Sequence, residues 1–138
     1  MLFTLGRIMG WVILAFYLLA SMNFVMKYAN RKWVAKLPRE SVFRKRYLKV
    51  LQFIIKAHPV FGYLAFFAVI IHMLIQFRFY GFWFSGFLAG GLMLIQIGIG
   101  SFGQWHKKKK RGPWLTVHRT VTVILLIVIA LHVIPAVL

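Results

Sequence analysis

The sequence predicts an all-α membrane protein, a bundle of four transmembrane helices, on three observations. Of the 138 residues, 62% are hydrophobic, well above the roughly 45–50% of an ordinary soluble domain. The apolar residues gather into four stretches, each about as long as the 20 residues needed to cross roughly 30 Å of hydrocarbon. The charge is confined as well: nine of the 18 basic residues lie between Lys27 and Lys49 and five more run from Lys107 to Arg111, so fourteen sit in two connections.

The first span is expected over 8–26. Arg7 ahead of an apolar run also suits a secretory leader, but the run continues past Ala20 to Met26, a spanning length that favours a membrane helix. Pro38 interrupts the basic segment 27–49. Val42, Phe43, Tyr47 and Leu48 mixed with Arg44, Lys45, Arg46 and Lys49 suit an interfacial helix leading into the second span. That span covers 50–77, with Pro59 either kinking one long helix or opening a new one. A turn at Arg78 to Gly81 leads into the third span, 82–105, with Trp83 placed as an interfacial anchor. Its Gly86 and Gly90 permit close helix contact or make room for a flat cofactor. The fourth span covers 114–134 and should end at Pro135. The whole chain is then one transmembrane domain. Cytoplasmic loops carry a Lys/Arg excess, so segments 27–49 and 106–113 are expected inside and both termini outside. The second and fourth helices run parallel, and the expected location is multi-pass in a bacterial plasma membrane.

A net charge of +17, with Glu40 the single acid, raises nucleic acid as a partner, since basic patches bind phosphate. The position of the charge argues against it, because basic clusters between apolar stretches act as topology or lipid signals. The absence of cysteine removes disulfides, thiolate metal sites, iron–sulfur clusters and covalently attached haem.

His58 and His72 lie in the second span, and His118 and His132 in the fourth, with the same fourteen-residue gap. Fourteen residues advance a helix almost four turns, which leaves both histidines on one face about 21 Å apart along the axis. One histidine of each pair therefore falls near each side of the bilayer. With the helices parallel, His58 pairs with His118 at the inner level and His72 with His132 at the outer level. Histidine inside a membrane is costly and usually functional, and neutral imidazole ligates iron. Two imidazoles from facing helices supply both axial ligands of a haem, and the bundle supplies an apolar slot. The favoured cofactors are two b-type haems held between helices 2 and 4, with Gly62 and Ala65 facing them.

The alternative is that the histidines only hydrogen-bond across helices. Zinc fits less well, because each level offers two ligands where about four are needed; copper stays open. Met73 and Met93 are more simply packing residues. His106, ahead of four lysines, reads as a solvated loop residue. Lys56, Arg119 and Arg78 are candidates to pair with haem propionates, the other reading being interfacial snorkelling. Gln52, Gln76 and Gln96 hydrogen-bond either a quinone or another helix.

The segments His58-Pro-Val-Phe-Gly62 continuing to His72, and Trp114-Leu-Thr-Val-His118-Arg119 continuing to His132, resemble the ferric-reductase-like transmembrane cytochromes b. That group includes the membrane parts of ferric reductases and NADPH oxidases and the haem subunit of the periplasmic methionine sulfoxide reductase system. The likeness runs from about Ala57 to the C-terminus. It implies that the four histidines are axial ligands of two stacked b-type haems. The chain departs from larger members in having four expected helices rather than about six. It also has no flavin- or nicotinamide-binding domain, since no Gly-x-Gly-x-x-Gly follows a strand.

The expected function is electron transfer across the membrane, from a cytoplasmic-side quinol or flavoprotein donor to an extracytoplasmic acceptor. Membrane lipid and a partner subunit or second copy are the other expected partners. A variant of this reading is a quinone-linked oxidase or reductase of superoxide or ferric iron at the outer haem. From another class come a small transporter, which would ordinarily carry a membrane carboxylate, and a structural subunit without haem.

Overall fold

The computed structural model describes residues 2–105 and 112–137, with side chains over 4–105 and 112–134. Among these residues stand four α-helices: α1 (Leu2–Lys32), α2 (Val42–Tyr80), α3 (Phe84–Trp105) and α4 (Pro113–Val137). All four are long and apolar enough to cross a membrane. Their outer faces stay rich in exposed large side chains such as Leu74, Phe84 and Leu131, the surface that lipid covers at no hydrophobic cost.

The helix ends follow local chemistry. Ser41 caps α2, its Oγ accepting from the Arg44 N–H at 3.4 Å. Gly81, at φ 70°, turns the chain out of α2, a backbone conformation that glycine adopts without steric cost. Pro113 opens α4 at the first helical position, where its missing N–H is not needed. Pro38 lies in the break between α1 and α2, as expected, just beyond a short 3-10 turn at Val34–Lys36.

Three boundaries differ from expectation. Residues 42–49 and the second span form one 39-residue helix that passes through Pro59; a single proline removes one backbone hydrogen bond, and the rest of a long helix holds the segment. Likewise, α1 runs on from Met26 to Lys32, with Arg31 and Lys32 in its last turn, where cations favour the C-terminal dipole. The backbone of α4 continues past Pro135 to Val137, since in a last turn the lost bond costs little. The 106–111 connection, including His106, lies outside the described residues.

The bundle is two close-packed pairs, α1 along α2 and α3 along α4, with a lighter contact of α2 on α3. Small residues bring the pairs together. Gly90 leaves room for Met73, and Gly103 for the Trp114 ring. The core at mid-height is Tyr17, Ala65, Met93, Leu125 and Ile129. Polar ties join the helices where apolar contact alone gives little driving force in lipid. The Tyr17 hydroxyl donates to the Thr122 carbonyl at 2.6 Å, Tyr47 donates to the Met26 carbonyl at 2.8 Å, and Tyr63 and Ser101 share a bond of 2.8 Å.

A methyl added at Gly103 meets the rigid Trp114 ring, whereas one at Gly90 meets the end of the flexible Met73 side chain. Gly103→Ala should therefore lower stability in detergent by about 1–3 kcal/mol, and Gly90→Ala by clearly less. Equilibrium unfolding of the two variants checks the order.

Candidate functional site

The four histidines meet as two pairs between the helix pairs. His58 faces His118 with ring centres 6.2 Å apart and planes at 86°, and His72 faces His132 at 6.5 Å and 85°. These are the partners expected of parallel helices; antiparallel ones would have crossed them. The His72/His132 level shares its end of the bundle with the start of α1, the Gly81 turn and the end of α4. The His58/His118 level lies toward the basic connections.

Each ring is held by a neighbouring helix. The Nδ1–H of His58 donates to the Ala20 carbonyl at 3.0 Å, and that of His72 to the Gly6 carbonyl at 2.9 Å. A carbonyl oxygen can only accept, so the proton sits on Nδ1 and the lone pair on Nε2. Ser85 Oγ of α3 lies 2.9 Å from His132 Nδ1, where a hydroxyl can either accept from or donate to the ring. His118 differs: its Nδ1 is buried without a partner, and its Nε2 lies 3.4 Å from the Gln96 amide nitrogen. Gln96 is itself steadied by donating to Thr122 Oγ1 at 2.5 Å, and that hydroxyl donates to the His118 carbonyl at 2.8 Å.

Small residues stand beside the rings. A Cβ on Gly86 would lie 3.2 Å from His132 Cε1, one on Gly100 3.3 Å from His118 Cε1, and one on Gly10 3.6 Å from His72 Cε1. The fourteen-residue interval therefore recurs on every helix: Gly6 and Ala20, His58 and His72, Gly86 and Gly100, His118 and His132. Spacing of the histidines was noticed in the sequence. The matching spacing on α1 and α3 was equally readable there, and it marks the residues that orient or make room for the rings.

At the His72/His132 level a cavity of about 420 Å³ opens between α1, α2, α3 and α4, walled by Trp11, Phe77, Phe87 and Ile129 as well as both histidines. That is the size range of a cofactor pocket. Among the described residues no group of three or more His, Cys, Asp or Glu could hold a metal. Glu40, the one acid, is exposed and 3.7 Å from Lys45. A metal at either pair would thus bring most of its coordination with it. Imidazole binds metals at about 2.0–2.1 Å, and adding roughly 1.1 Å from nitrogen to ring centre separates two trans imidazoles by about 6.3 Å. The observed 6.2 and 6.5 Å lie near that distance.

Other sequence candidates are placed differently. Gly62 lies against Ile97 of α3, and Ala65 is in the mid-height core. Lys56, Arg78 and Arg119 are exposed, as is Arg7; of the four, Arg7 lines the cavity. Gln52 is exposed, Gln76 lines the cavity, and Gln96 bonds to another helix. Met73 packs near Gly90 and Met93 is buried in the core.

Fold and site together define a multi-pass, all-helical membrane protein with two stacked histidine pairs. No family model, curated protein or solved structure matches the chain.

Gly86→Val should displace the His132 ring and disturb its partner His72, while Gly100→Val should disturb His118 and His58. Imidazole resonances of 15N-histidine-labelled protein check this: each glycine variant should move one pair and spare the other.

Proposed function

We propose that the chain is a dihaem b-type cytochrome of the ferric-reductase-like kind, carrying electrons across the membrane. The observation that carries the proposal is that four histidines of the spanning helices meet as two stacked pairs, with ring centres 6.2 and 6.5 Å apart. His58 and His118 would hold one haem, and His72 and His132 the other. When bound, the haems supply one-electron centres at two depths, about 21 Å apart along the helix axis.

The remaining work is done by the polypeptide. Ala20, Gly6 and Ser85 fix ring orientation, and a held second nitrogen makes imidazole a better ligand. The core of Ala65, Met93, Leu125 and Ile129 keeps water out between the levels. Positive-inside charge puts the His58/His118 level toward the cytoplasm, where a quinol or flavoprotein would donate, and both termini outside, facing an acceptor. Such a chain sits in a bacterial plasma membrane.

The purified protein should show b-type bands in a reduced-minus-oxidised spectrum, with two haems per chain. His72→Ala and His132→Ala should each remove the same centre, and His58→Ala and His118→Ala the other. A colourless wild type, or loss of one common centre in His58→Ala and His132→Ala, would sink the reading.

A further inference from the structure

The cavity at the His72/His132 level has an uneven chemistry. Its body is apolar, but toward the end of the bundle beyond the histidines it is edged by Arg7, Gln76, Tyr80 and Trp83. Arg7 follows Gly6, whose carbonyl orients His72, and shares one face of α1 with Gly10, Trp11 and Leu14, all on the cavity wall. Gln76 stands one helical turn beyond His72 and lines the cavity. Guanidinium, phenol and indole all donate hydrogen bonds, as does the amide nitrogen of Gln76, and Arg7 is the one charged residue lining the cavity. Among the described residues lining the cavity, none is a carboxylate. An apolar chamber with a donor-rich, cationic rim suits an apolar ligand with an acidic edge.

We infer that Arg7, assisted by Gln76, recognises the carboxylates of the ligand in this cavity. On the dihaem reading, on which this inference rests, those carboxylates are the propionates of the outer haem, and Arg7, not Arg78, anchors them. The same contact sets the haem's direction, propionates toward the Gly81 turn. A cation there also favours the reduced, less positive iron, so Arg7 raises the potential of that centre.

Haem and its dimethyl ester, which lacks the acidic edge, separate carboxylate recognition from simple packing. Haem-free chain carrying His58→Ala, so that only the outer site loads, is titrated in detergent with each. It should bind haem about ten- to hundred-fold more tightly than the ester, the loss expected for hydrogen bonds to a charged group. Adding Arg7→Gln should abolish that preference, and Arg7→Lys should restore part of it. In the chain with all four histidines, Arg7→Gln should lower the midpoint potential of the outer centre and leave the inner one in place. The inference is overturned if haem and ester bind alike in the presence of Arg7, if the preference survives Arg7→Gln, or if Arg78→Gln abolishes it instead. Wild-type protein that takes up no haem overturns the dihaem reading itself, whereas two haems insensitive to Arg7 overturn this inference alone.

Discussion

The two histidines of α2 depend on one kind of bond, an imidazole N–H given to a carbonyl of the neighbouring helix α1. In water such a bond is one of many a histidine can make. In the apolar interior of this bundle it decides which nitrogen keeps its proton, and so which nitrogen is left with a lone pair. His72 gives its proton toward Gly6 and His58 toward Ala20, and both acceptors are main-chain carbonyls of α1. A carbonyl inside a helix already accepts from the residue four positions on, so the second bond comes from its other lone pair. The orientation of the rings is thereby tied to the backbone of α1, the stiffest object available to them.

That tie places demands on the rest of the chain. For the imidazole of α2 to reach a carbonyl of α1, the two helices must lie close over nearly their whole length, and Gly6 and Gly10 allow it near His72. The rings of α4 need the same allowance from α3, supplied by Gly86 and Gly100. Close packing within each pair leaves the space between pairs for the rings and the cavity. Tyr17 closes that space at mid-height by reaching from α1 to the Thr122 carbonyl of α4. The Gln96–Thr122 contact adds a second tie beside His118, making the His58/His118 level the more heavily buttressed of the two.

Two levels built on one plan need not behave alike. His118 has a glutamine amide beside Nε2 and a buried Nδ1 without a partner, while His132 has a serine hydroxyl at Nδ1. The His72/His132 level opens into a cavity edged by Arg7, and the His58/His118 level lies toward the end of α1 and the start of α2. Under the proposed function these differences separate the two redox potentials, because charge, burial and hydrogen bonding at the ligand are what tune a haem.

The sequence by itself determined the four spans, the parallel direction of α2 and α4, and through that direction the partners His58 with His118 and His72 with His132. These follow from hydropathy, from loop charge and from helical periodicity, all of which are local or count along one dimension. It also held the fourteen-residue echo on α1 and α3, readable only once the histidines had shown what interval to look for. What only the tertiary structure decided is which small or charged residue faces which ring. Gly62 and Ala65 share a helix face with His58 and His72, yet they pack against α3 and the core, because the rotation of α2 is set by its neighbours and not by its own pattern. Arg7 and Arg78 both lie near the same end of the bundle, and sequence distance favoured Arg78 as the partner of the outer site. Arg7 lines the cavity because α1 lies against the His72 face of α2, a proximity that their distance along the chain conceals.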